Sequence, residues 1–308
     1  MLKIINRACA KRKGARRTAD PLQNLINLEA RTQLAPGQCR SLAPGVRRIV
    51  AGNAGLMTGP GTNTYLFGIR QVAVLDPGPD DDEHLDAILA AAGPAIRWII
   101  VTHTHPDHSP LAARLAAITG ARVLGLPPPA DGRQDERFAP DHLPRDGERL
   151  SVGEAQLAAI HTPGHASNCV CYLLESERLL FTGDHVLEGV SPVILPPDGN
   201  MAAYMHSLQK LHAYDFDRIA PGHGGLMERG KEVLTSLRDH RLAREQKVLR
   251  SLRQLAAATL DELTPVVYDD VPVDRHRWAR LTLEAHLIKL AGEGRAGEID
   301  GVWRLSQP

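Results

Sequence analysis

A chain of 308 residues can bury one large core and a second, smaller one. Its 36 Lys and Arg balance 36 Asp and Glu to a formal net charge of zero, so it lacks the single-sign field of a protein that coats nucleic acid. No apolar run approaches the roughly 18 residues of a membrane span, and no membrane association is expected.

The first twenty residues carry Lys3, Arg7, Lys11, Arg12, Lys13, Arg16 and Arg17 against Asp20 alone, which reads as a disordered basic tail or as an organelle presequence. From about residue 46 to 220, short β-rich runs alternate with turn clusters. Strands are predicted at 47–50, 64–67, 72–75, 98–101, 123–126, 157–160, 170–174 and 179–181, and helices at 82–92 and 109–118. Sheets with interleaved helices are the expected architecture. Residues 127–149, rich in Pro, Asp and Gly, read as a solvated surface loop. Cys9, Cys39, Cys169 and Cys171 form neither CxxC pairs nor a disulfide framework; reduced thiols in the cytoplasm are expected, with Cys169 and Cys171 packing on one strand face.

After Gly230 the texture changes to amphipathic helices. Val248, Leu249, Leu252 and Leu255 share one helical face, and Trp278, Leu281, Ala285 and Ile288 another. Thr259 and Asp261 are placed to cap a helix over 259–268, and a hairpin turns on Asp300-Gly301. Three helices and a hairpin make a winged-helix-like module. Arg238, Arg241, Arg244, Lys247, Arg250 and Arg253 nearly repeat at helical spacing, interleaved with Glu232, Asp239 and Glu245. This pattern fits a solvated face or a homodimer contact, and it also invites a nucleic-acid reading.

The chemistry concentrates in His103-Thr-His105-Pro-Asp107-His108, which places four metal-capable side chains just past an apolar strand. A strand end fixes the backbone while the loop lets imidazoles and a carboxylate converge, which packing alone does not require. Alternation puts His103 and His105 on one side, and the turn at Pro106 re-aims Asp107 and His108 towards a second position at the start of the following helix. His161-Thr-Pro-Gly-His165, Phe181-Thr-Gly-Asp184-His185 and Pro221-Gly-His223-Gly224 each set a His or Asp beside Gly after a strand-like run. His161 and His185 are read as supporting groups. The remaining histidines, among them His84, His142, His206, His212, His240, His276 and His286, are read as surface or core residues.

These ordered motifs, over residues 46–224, resemble those of the metallo-β-lactamase superfamily. With Gly61-Thr-Asn-Thr-Tyr-Leu66, the 196–204 segment, the 240–245 segment and the winged-helix-like tail, the resemblance extends to the lactamase-beta-2-like subfamily. It implies an α/β fold, an αββα sandwich over residues 41–230, preceded by a basic extension (1–40) and followed by a winged-helix-like domain (231–308). It also implies that His103, His105 and His165 bind a first metal ion, that Asp107, His108 and His223 bind a second, and that Asp184 bridges them. Asp76, before Pro77-Gly78, would support the site through hydrogen bonds. The ligand set suits two Zn²⁺ and tolerates Fe or Mn.

The activity so implied is hydrolysis of an ester or thioester, of the hydroxyacylglutathione hydrolase kind, by a metal-bridging hydroxide with Asp107 handling the proton. Cleavage of single-stranded RNA is a second reading, a mononuclear iron dioxygenase of the persulfide type a third, and a metal-bearing DNA-binding regulator a fourth. Two departures from the family pattern bear on the substrate: Ser109-Pro110 stands where relatives have Gly-Gly, and the 187–192 segment lacks an expected Trp. The Thr62-Asn63-Thr64 segment is either a turn or a loop reaching over the site.

Overall fold

The computed structural model describes residues 34–306; the basic run from Lys3 to Arg17, and Cys9, lie outside them. A first sheet is ordered β1 (Arg40–Ala43), β2 (Val46–Val50), β3 (Asn63–Phe67), β4 (Val72–Leu75), β5 (Ile96–Ile100) and β6 (Arg122–Leu124). A second runs β11 (Arg218–Pro221), β10 (Leu179–Gly183), β9 (Val170–Leu174), β8 (Ala155–His161) and β7 (Arg149–Val152). The alternation of side chains decides the layering. Phe67, Leu75 and Ile100 of the first sheet meet Leu157, Tyr172 and Phe181 of the second in a shared inner core. Tyr65 and Phe67 each pack edge-on against Phe181, with ring centroids 4.9 Å apart.

The opposite faces are also buried, so the central strands are apolar throughout rather than alternating. Leu66, Val74 and Ile99 pack under helices α1 (Asp82–Ala92) and α2 (Leu111–Thr119). Ile160, Cys171, Leu173 and Leu180 pack under α3 (Met201–Leu211) and the first half of α4 (Gly230–Leu255). The result is a helix–sheet–sheet–helix sandwich. Cys169 and Cys171 are buried, and burial pushes the Cys171 thiol up to about 12, which suits packing rather than redox chemistry.

A fourth core belongs to the C-terminal unit. It joins Val248 and Leu252 of α4 to α5 (Leu260–Val267), α6 (His276–Gly292) and a three-stranded sheet, β12 (Ala258–Thr259), β14 (Val302–Leu305) and β13 (Ala296–Ile299). Asp300 and Gly301 both take positive φ, 51° and 78°, as a two-residue hairpin turn requires. Thr259 caps α5 in a reciprocal pair with Glu262. Asp261, expected to share that cap, instead accepts from Arg280 at 2.6 Å.

Several expectations are corrected. The 127–149 loop is not simply solvated: Phe138 is part of the core under α2, and Gln134 is buried. The buried stripe of α6 is Ala279, Leu283, Leu287 and Leu290, while Ile288 is 45% exposed, because the helix is wedged between two cores and Ala285 faces the one under the second sheet. Arg241 and Arg244 are no solvated stripe but lie 4% and 8% exposed. Strands β1, β7, β11 and β12 and helix α3 were not predicted; the last has a legible signature in Asn200, whose side chain caps it, and in the period of Met201, Tyr204, Leu208 and Leu211.

Candidate metal centre

Strands β4, β5, β8, β10 and β11 all end at one edge of the sandwich, and each is followed within four residues by a chemically capable side chain: Asp76, His103, His165, Asp184 and His223. Two groups form there. His103, His105 and His165 make one; Asp107, His108, Asp184 and His223 make the other, each with its candidate ligand atoms within 4.8 Å of one another. All seven residues singled out from the sequence are brought together. Asp107 and His108 sit in a turn closed by His108 N–H donating to the His105 carbonyl at 3.0 Å, and α2 begins only at Leu111.

Hydrogen bonds orient the rings. Asp76 takes φ 49° and accepts from Thr102 N–H at 2.7 Å, from the Thr102 hydroxyl at 2.8 Å and from His108 Nδ1 at 2.9 Å. The Thr102 hydroxyl thus spends its one proton on Asp76, so its oxygen accepts from His103 Nδ1, 3.0 Å away. His165 Nδ1 donates to the Val193 carbonyl at 2.8 Å and His223 Nδ1 to the Gly61 carbonyl at 3.2 Å. Four imidazoles therefore hold a proton on Nδ1 and turn Nε2 inward, as metal-binding histidines do. Asp76 does more than expected, since it touches His108 directly.

The inner atoms have the arrangement a cation needs. His103 Nε2 and His165 Nε2 each lie 3.0 Å from His105 Nδ1. Asp184 Oδ1 lies 3.3 Å from both His108 Nε2 and His223 Nε2, and Asp184 Oδ2 lies 3.8 Å from His165 Nε2, so each oxygen faces a different group. His108 Nε2, His223 Nε2 and Asp184 Oδ1 are buried without a hydrogen-bond partner, a costly arrangement for a pocket meant to stay apolar. Donor chemistry and geometry fit divalent ions of zinc type.

The electrostatics divide the two groups. Burial works against charge on His223, but Asp184 and Asp107 overcome it and raise the ring to about 10. Burial would also raise Asp107, and His108 and His223 hold it down at about 2. In the all-histidine group burial dominates: His105 falls to about 3 and His103 falls as well, leaving neutral imidazoles ready to ligate.

Other residues take definite places. Thr62, from the segment left open in sequence, reaches the site: its hydroxyl is 3.4 Å from Asp107 Oδ2 and its backbone bridges that of His223. Asn63 donates to the Pro221 and Gly224 carbonyls at 2.9 Å, bracing the His223 loop. Glu188 accepts from Gly225 N–H at 2.6 Å, from the far side of the same loop. A Cβ on Gly222 would collide with Asp184 Oδ1 and sit 2.8 Å from His108 Cε1, so that position must be glycine. His161 bonds the Pro144 carbonyl at 2.7 Å, away from the centre. His185 is buried with neither ring nitrogen bonded and supports the site by packing on Tyr204, centroids 4.8 Å apart. Thr102, Asn63 and Glu188 had no sequence signal beyond their nearness to the motifs.

A four-layered sandwich with a His/Asp centre at its shared strand ends, followed by a small helix-and-hairpin unit, defines a class: metal-dependent hydrolases of the metallo-β-lactamase fold. The family model described as the metallo-beta-lactamase superfamily matches residues 57–223, and that of the beta-lactamase associated winged helix domain matches residues 259–303. A beta-lactamase-like protein 2 homolog of Caenorhabditis elegans is 33% identical over 257 residues, covering 81% of this chain and 83% of its own. An atrochrysone carboxyl ACP thioesterase of Aspergillus chevalieri is 31% identical over 273 residues, covering 84% of this chain and 85% of its own. Among solved structures, a beta-lactamase domain protein of Burkholderia ambifaria superposes with a TM-score of 0.76 at 21% identity, over 93% of this chain and 99% of that one. The chain belongs to the metallo-beta-lactamase superfamily and is a metal-dependent hydrolase with a C-terminal winged helix domain.

Proposed function

We propose that the protein is a binuclear, zinc-dependent thioester hydrolase. The supporting observation is the placement of Asp184, whose two oxygens face the two ligand groups separately. In this reading His103, His105 and His165 hold one ion, Asp107, His108 and His223 the other, and Asp184 both. Two ions so held would polarise the thioester carbonyl and lower the pKa of water towards about 7. The thioester is favoured over other acyl substrates because relatives that match this chain over 84–85% of their own length are named as ACP thioesterases.

The chain's own residues then handle the proton. Asp107 is the more open of the two carboxylates, with 24% of its side chain accessible against 11% for Asp184. Its Oδ2 accepts from the Thr62 hydroxyl at 3.4 Å, which leaves Oδ1 to accept the proton of the attacking water and return it to the departing thiolate. Thr62 holds the carboxylate for that transfer.

Elemental analysis of the purified protein should give about two zinc-like ions per chain, with hydrolysis of an acyl thioester followed by release of free thiol. Asp107→Ala should lower kcat by two or more orders of magnitude, the general acid–base contribution being about 10²–10⁴-fold, with the fold retained by circular dichroism. A single tightly bound iron with oxygen consumption, or cleavage of single-stranded RNA without thiol release, would overturn the reading.

A further inference from the structure

A cavity of about 180 Å³ opens directly onto the metal centre, with His165 and Asp184 in its lining. Leu56, Met57 and Val190 also line it, and each is unusually open for a large apolar side chain, at 58%, 47% and 53% exposure. Single exposed apolar residues mean little, but three around one cavity beside a reactive centre are the mark of a ligand wall. Leu187 and the 191–193 segment continue the wall from the sandwich, and Trp278 and Arg275 close it from the start of α6 in the winged helix domain.

Neither residue belongs to the core of its own domain. Trp278 lies off the buried stripe of Ala279, Leu283 and Leu287 and is only half-buried, its indole N–H has no hydrogen-bond partner, and the neighbouring Arg277 guanidinium covers its ring at 4.8 Å. Arg275 occupies the N-cap of α6 without a side-chain capping bond, and no acidic residue stands in the first turn. A cation there opposes the helix dipole, a local cost that makes sense where an anion arrives.

We infer that Trp278 and Arg275 complete the substrate pocket, so that the winged helix domain selects thioesters carrying a compact apolar acyl group on an anionic thiol carrier. This rests on the thioester reading above and adds to it. Size sets the acyl group: an apolar cavity of about 150 Å³ takes a benzene ring, so 180 Å³ fits one aromatic ring or a short branched chain beside the scissile carbonyl. Exposure sets the role of Arg275, which is solvent-facing at the rim and so meets the carrier, which leaves the pocket, rather than the acyl group that fills it.

The test compares acetyl and benzoyl thioesters on two carriers, anionic coenzyme A and neutral N-acetylcysteamine, using the full chain loaded with zinc. Trp278→Ala should cut kcat/KM for the benzoyl substrates by about tenfold or more while changing the acetyl substrates little, the scale on which apolar pockets discriminate. Leu56→Ala, on an exposed loop outside every core, should shift the same ratio in the same direction and guards against Trp278→Ala simply unfolding. Arg275→Gln should lower kcat/KM for coenzyme A esters by up to about fivefold, an exposed ion pair's worth, with no change for N-acetylcysteamine esters. Equal losses on all substrates, or none, would overturn the inference while leaving thioesterase activity standing. A wild-type protein that hydrolyses none of the four would overturn the thioester reading itself.

Discussion

Asp76 sits in a left-handed conformation that an Asp tolerates but does not favour, and its carboxylate gathers three donors, two from Thr102 and one from His108. Through Thr102 it also fixes the proton on His103. One carboxylate therefore orients a ring in each ligand group. Asp76→Ala should weaken metal binding by about 10–100-fold, the usual effect of removing the partner of a ligating histidine, read by competition with a fluorescent chelator. The loss should exceed that of Asn63→Ala, whose bonds brace only the His223 loop. Unchanged affinity would mean that Asp76 serves the turn alone. The cluster was legible in sequence at this scale because His and Asp set beside glycine after strands form a rare pattern: His103 to His108, His165, Asp184 and His223 all converge. Thr102 and Gly222 were not legible, since their roles depend on which atoms face them across the fold.

Among the elements, α4 carried the expectation that most needed revision. The spacing of Arg241 and Arg244 suggested a face open to solvent, a second copy or nucleic acid. Instead Arg241 donates to the Pro192 carbonyl and lies over the Tyr204 ring, and Arg244 donates to the Val267 carbonyl at 2.6 Å and grips Asp270 with two bonds. Long cationic side chains can lie flat along apolar surface, and periodicity alone does not tell such a residue from a solvated one. These arginines fasten α4 to both units, so neither is free for phosphate. Arg244→Gln should destabilise the protein on the order of 2 kcal/mol, as loss of hydrogen bonds from a charged donor does. The sign with pH follows from Asp270, whose carboxyl Arg244 holds at about 2. A depressed carboxyl contributes stability above its unfolded pKa of about 3.9 and loses it as pH falls towards the folded value. Urea titrations should therefore show the gap between wild type and Arg244→Gln narrowing as pH drops from about 4 to 2. A gap that is constant through that window would assign the effect to the packing of the Arg244 guanidinium over the Tyr268 ring, 4.4 Å away, instead.

Across the whole molecule, the centre is built from both sheets: His103, His105, Asp107 and His108 follow β5 in the first, and His165, Asp184 and His223 follow β8, β10 and β11 in the second. An ion held by ligands from both sheets binds the assembled sandwich and not the unfolded chain, so it adds to stability in proportion to the logarithm of its free concentration over Kd, about 4 kcal/mol at a thousandfold excess. Stripping the metal with a chelator should lower the thermal midpoint by several degrees, and returning zinc should restore it. Asp184→Asn should shrink that response more than Asp107→Ala does, because Asp184 alone faces both groups and ties the two sheets through one side chain. The winged helix domain supplies a second comparison. Its own core of Leu263, Leu283 and Trp303 contains none of the seven residues, so hydrogen exchange on chelation should rise at the ends of β5, β8, β10 and β11 and in α2, and stay low through α6 beyond its first turn. Exchange rising equally through Leu283 and Leu287 would show that the metal holds the two units together, and that the buried arginines of α4 are not sufficient to do so.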